Sequence, residues 1–87
     1  MALNIVMEDD ASTRMLIASV LKKDGHQVLT AEDGAQGLAL AEARRPELII
    51  SDVQMPGMNG FQMLAALRAD KLRQLWEETR LVLAGWG

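Results

Sequence analysis

Four short aliphatic runs recur along the chain, each separated from the next by enough residues for one helix. This alternation constrains the fold more than any other feature. The runs are LNIVM at Leu3–Met7, QVLTA at 27–31, LIIS at 48–51 and TRLVLA at 79–84. LNIVM, LIIS and LVLA are continuous rather than alternating, the pattern of strands covered on both faces. Asp9 or Asp10 is placed to cap a first helix. Its apolar positions Met15, Leu16, Ala18, Val20 and Leu21 fall near helical spacing, and Lys22 and Lys23 precede a stop at Gly25. A stretch rich in Ala and Leu predicts a second helix from about residue 35 to 44, ended by Pro46. Phe61, Leu64, Ala65 and Leu67 mark a third helix, and Leu72, Leu75 and Trp76 continue its period, either as one helix to Glu78 or as a restart after Asp70. The order β-α-β-α-β-α-β predicts an α/β fold: a doubly wound parallel sheet with right-handed crossovers and helices on both faces.

With 87 residues the chain makes one domain, 1–87, near the lower limit for folding without staples. Its core must come from Leu, Ile, Val, Met and Ala, because Phe61, Trp76 and Trp86 are the only aromatic residues. No cysteine is present, which excludes disulfides and thiolate metal sites and fits a reducing, cytoplasmic setting. No apolar run approaches the ~20 residues of a membrane span, and the N-terminus lacks the layout of a signal peptide. A net charge of −3 gives no electrostatic reason for this chain to bind nucleic acid.

The stretch PELIISDVQMPGMNG, residues 46–60, carries the chemistry. Its aliphatic strand ends on Asp52, and a Met-Pro-Gly turn follows at once. Ligands of open α/β sheets sit beyond the carboxyl ends of the strands, where the strand order reverses. Glu8, Asp9 and Asp10 follow the end of the first strand. If the first and third strands are neighbours, these carboxylates converge with Asp52 on one crevice. Packed carboxylates must protonate, be solvated or bind a cation, and a hard ion such as Mg²⁺ suits oxygen ligands and a phosphoryl group. A carboxylate so neutralised can act as a nucleophile and form an aspartyl phosphate. The plainer reading makes Glu8, Asp9 and Asp10 a cap and first-turn acids favouring the helix dipole. His26 reads as a partly exposed bystander, and Met55, Met58 and Met63 as packing and loop residues. Trp86 reads either as a frayed end or as an anchor against another chain, with the anchor preferred.

IVMEDDASTR, AEDG and PELIISDVQMPGMNG, taken in register, resemble the receiver domain of two-component response regulators. The resemblance covers nearly the whole chain and implies a flavodoxin-like sheet, here of strand order 2-1-3-4. By position, Glu8 and Asp9 match that family's acidic pair for Mg²⁺. Asp52 matches its phosphate-accepting aspartate, and the Gln54 backbone carbonyl matches its third protein ligand to the metal. The resemblance implies a histidine kinase or phosphotransfer protein as donor, and a phosphorelay component rather than a conventional enzyme.

There are departures. Aligning LVLAGWG puts Ala84 where the family carries a Ser or Thr that binds the phosphoryl group. The family's lysine-bearing fifth strand and its last two helices have no counterpart, so the fold is expected as β1-α1-β2-α2-β3-α3-β4. The fourth strand then becomes an apolar edge beside an uncovered sheet face, which predicts a homo-oligomer, most simply a dimer. Two further functions compete with phosphotransfer. One is a binding module that docks without switching; the other is a self-associating fragment without activity.

Overall fold

The computed structural model describes residues 3–52, 62, 65, 66 and 79–84. Its elements are β1 (Leu3–Met7), α1 (Ala11–Lys23), β2 (Gln27–Ala31), α2 (Gly34–Arg44), β3 (Leu48–Asp52) and β4 (Arg80–Ala84). The strands form a parallel sheet of order β2-β1-β3-β4, the expected flavodoxin-like arrangement. Gln62, Ala65 and Ala66 are helical; the rest of the expected third helix lies outside the described residues.

The chain steps outward from β1 to β2, then returns past β1 to β3. Right-handed crossovers therefore send α1 and α2 to opposite faces. The same reversal makes the gap between β1 and β3 the switch point of the sheet. Side chains alternate along β1, so Ile5 and Met7 join Ala31, Ala41 of α2 and Ile49 in one buried cluster. Asn4 and Val6 fall on the other face.

Local chemistry sets the helix ends. Asp10, in extended conformation, accepts from the Thr13 N–H at 2.8 Å and from its hydroxyl at 2.7 Å, satisfying an orphan donor of the first turn. At the other end Gly25 takes φ +87. Its N–H donates to the Lys22 carbonyl at 3.0 Å, and that of His26 to the Leu21 carbonyl at 3.2 Å. This pair of bonds is a Schellman stop, which needs the left-handed conformation that glycine adopts without penalty. Asp33 caps α2 through the Gln36 N–H at 2.8 Å, so this helix begins at Gly34, one residue before the expected Ala35.

The apolar positions expected to seat α1 are only partly the ones that do. Ala18 is buried and Leu21 half-buried, but Met15 and Leu16 are about two-thirds exposed and Val20 more than half (67%, 66% and 54%). The helix lies on the sheet through Arg14, Ile17, Ala18 and Leu21, spaced three, one and three residues apart. Met15, Leu16 and Val20 sit on other sectors of the same cylinder.

Two contacts lock the start of β3. The Glu47 N–H donates to the Leu3 carbonyl at 2.9 Å. The Thr79 hydroxyl donates to the carbonyl of buried Pro46 at 2.6 Å. Thr79 thus leaves the expected fourth strand, which begins at Arg80, and ties its entry to that of β3.

Candidate metal and phosphoryl site

β1 and β3 run side by side, with Met7 opposite Ser51 as their last pair. One residue further, Glu8 leaves β1 as Asp52 closes β3, on the same side of the pleat. Parallel pairing alone therefore juxtaposes the two carboxylates. Asp9 follows at once, and Glu8, Asp9 and Asp52 each offer a carboxylate oxygen, all within 4.8 Å of one another. The sequence-expected convergence is present in the structure.

Glu8 and Asp52 are almost fully buried, at 3% and 6% exposure, whereas Asp9 faces solvent. Two unit charges at that separation repel by on the order of 3 kcal/mol even at an effective dielectric of about 20. Burial withholds the water that would otherwise screen them. Three hard oxygen donors at this spacing could hold a divalent cation such as Mg²⁺, which takes oxygen ligands and keeps several waters.

The backbone around the cluster is pinned at several points. The Glu8 N–H donates to the Ala31 carbonyl at 3.0 Å, joining the tips of β1 and β2. The Asp9 N–H donates to Glu8 Oε2 at 3.0 Å, which orients that carboxylate. Fully buried Ser51 donates its hydroxyl to the Asp52 carbonyl at 3.0 Å, fixing the peptide unit at the tip of β3.

Capping and clustering, alternatives in the sequence, are divided among residues. Asp10 is the cap, while Glu8 and Asp9 join Asp52. The Thr13 hydroxyl, then the Thr13 N–H, then nearby Arg14 hold the Asp10 carboxyl below its ordinary pKa of 3.8. Gln54 lies outside the described residues, as do Met55, Met58, Met63 and Trp86. His26 is half-buried, and its Nδ1 has no partner among the described residues. Ala84 is the partner of Asp52 across the β3–β4 ladder, so the residue expected at the family's hydroxyl position stands beside Asp52.

Arg14 is the residue that sequence reasoning missed. Its Nη1 donates to the Glu8 carbonyl at 2.8 Å, and its Nη2 lies 3.9 Å from Glu32 Oε1. A signal was available: a cation in the first turn of a helix opposes the macrodipole, so a partner elsewhere is needed to explain it.

The profile for the response regulator receiver domain matches residues 5–82. Over 67 residues the chain is 45% identical to the protein PilH of Pseudomonas aeruginosa, covering 76% of this chain and 55% of PilH. It is 39% identical over 64 residues to the transcriptional regulatory protein AfsQ1 of Streptomyces coelicolor, covering 74% of this chain and 28% of AfsQ1. The chain thus spans about half the length of PilH and less of AfsQ1. Among solved structures, the chemotaxis response regulator CheY4 of Vibrio cholerae superposes with a TM-score of 0.86 at 35% identity. That match covers 95% of this chain and 67% of CheY4. No described helix is long and apolar enough to cross a membrane.

Proposed function

This chain belongs to the family of response regulator receiver domains, and on that premise we propose that Asp52 accepts a phosphoryl group from a histidine kinase or phosphotransfer protein. Asp52 Oδ attacks phosphorus as the bond to the donor's imidazole nitrogen breaks, and the departing imidazole returns to its neutral form. Glu8, Asp9, Asp52 and the Gln54 backbone carbonyl would hold Mg²⁺, which supplies charge neutralisation for the carboxylates and the transferring phosphoryl oxygens. Ser51 fixes the peptide that follows Asp52 at the tip of β3. The observation that carries this reading is the convergence of Glu8, Asp9 and Asp52 within 4.8 Å.

The test is titration with Mg²⁺ and beryllofluoride, a phosphoryl mimic, followed calorimetrically in wild type and Asp52→Asn. Saturable, Mg²⁺-dependent binding lost in the variant supports phosphoacceptance; the same response in both proteins removes it.

Ala84 beside Asp52 favours a second reading, a receiver that docks on its partner but switches weakly. A hydroxyl at this position would donate to a phosphoryl oxygen, and alanine has none to offer. Ala84→Thr is then expected to raise the rate of Asp52 phosphorylation by acetyl phosphate. An unchanged rate would argue that this position plays no part in this chain. Among the described residues β4 pairs only with β3, and Val82 is nearly half exposed. These features support self-association along the β4 edge, which sedimentation at micromolar concentration tests. A monodisperse monomer would exclude it.

A further inference from the structure

We propose that Arg14 is a positioning residue for the acidic cluster, holding the Glu8 carbonyl in the loop after β1 so that Glu8 faces Asp9 and Asp52. This rests on the reading of the cluster as a cation site. Glu8 is held at both of its backbone polar groups. Its N–H is fixed by the Ala31 carbonyl at 3.0 Å and its carbonyl by Arg14 Nη1 at 2.8 Å. The second guanidinium nitrogen extends toward Glu32, whose own N–H is tied to Gln36 Oε1 at 2.9 Å, in the turn that starts α2. One planar fork therefore reaches the loop after β1 through a short bond and the turn after β2 through a longer ion pair.

The exposures of the two ion-pair members rank the contacts. The Arg14 side chain is 15% exposed and that of Glu32 69%. A largely solvated partner at 3.9 Å holds little. The bond to the Glu8 carbonyl is shorter and better sheltered, and charge assistance strengthens it. Without it the peptide after Glu8 loses its guanidinium donor, and this peptide carries the Asp9 N–H that orients the Glu8 carboxylate. The cluster would then keep its ligands but lose their common aim. Lysine, a point donor on a flexible stem, can serve one of the two partners but not both in fixed geometry.

The experiment is calorimetric titration of the full chain with Mg²⁺ alone, paired with thermal melts in EDTA. Arg14→Ala is expected to weaken Mg²⁺ binding roughly 10-fold or more, the range seen when groups supporting metal ligands are removed. Arg14→Lys should recover part of that loss, and Glu32→Gln should stay within about threefold of wild type. A purely structural arginine would lower the melting point in EDTA and leave Mg²⁺ affinity untouched; that result overturns the proposal. If Arg14→Ala does not fold, Arg14→Met, which keeps the apolar stem and removes every donor, carries the comparison, and wild-type affinity in it counts equally against the proposal. A wild-type chain that fails to bind Mg²⁺ defeats the reading of the site itself. Binding by wild type and Arg14 variants alike defeats only the role given to Arg14.

Discussion

Gly37 tests how closely α2 lies on the sheet beneath the acidic cluster. It occupies the interior of α2 and is buried. A Cβ placed on it would fall inside contact distance of Met7 Cγ, Sδ and Cε together. Taken alone, helix propensity favours Gly37→Ala by about 1 kcal/mol. Against this stands overpacking, which costs typically ~1–3 kcal/mol in a filled core. Methionine is flexible, but Met7 is completely buried among Ile5, Ala31, Ala41 and Ile49, so its whole distal side chain has to find a new path. The balance is a net destabilisation of about 1 kcal/mol, or a melting point lowered by roughly 4–8 °C for a chain of this size. Urea denaturation at constant m-value measures it. Met7→Val alone should cost about 1–2 kcal/mol for the space it opens. Combined with Gly37→Ala it should cost less, because the new methyl occupies part of that space, giving a favourable coupling of about 1 kcal/mol in a double-mutant cycle. Additive effects, with Gly37→Ala stabilising by the helix term alone, would refute the close approach. Because Glu8 directly follows Met7, a Met7 displaced by Gly37→Ala should also weaken Mg²⁺ binding.

Three other perturbations have defined outcomes. Thr79→Val keeps the shape of the side chain but leaves the buried Pro46 carbonyl without its donor, at a cost of about 1–3 kcal/mol in urea denaturation. Thr79→Ser should retain most of that stability, and equal losses in the two variants would count against the bond. Asp10→Asn keeps a capping oxygen and removes the charge. Since the folded carboxyl is held below 3.8, the charge stabilises above that pH, and its contribution disappears as the pH falls through the lowered value. The wild-type advantage over Asp10→Asn in thermal melts should be constant near neutrality and vanish in acid; a flat difference throughout would contradict the assignment. Mg²⁺ at about 100 times its dissociation constant should stabilise the chain by about 2.7 kcal/mol. EDTA should reverse that gain, and Asp52→Asn should show little of it.

The sheet was legible in the sequence because aliphatic runs and their punctuation are local signals. Gly25 and the caps Asp10 and Asp33 fix helix ends through bonds spanning three to five residues, and residues of these types stand out in a short window. The neighbouring of β1 and β3 was only a condition in the residues themselves; the family resemblance implied the order 2-1-3-4, and with that order comes the approach of Glu8 to Asp52. Periodicity was a weaker guide for α1. It counts apolar residues without knowing which sector meets the sheet, so it chose Met15, Leu16 and Val20 alongside Ala18 and Leu21. Arg14 and Thr79 escaped for a different reason. Each donates from a polar side chain to a backbone carbonyl of another element, six residues away in one case and thirty-three in the other. A carbonyl has no residue identity, so such a bond leaves no pairing pattern to read. The carboxylates of the candidate site are therefore visible in the sequence as residues, while the donor that holds one of them in place leaves only an indirect trace, a cation in the first turn of α1.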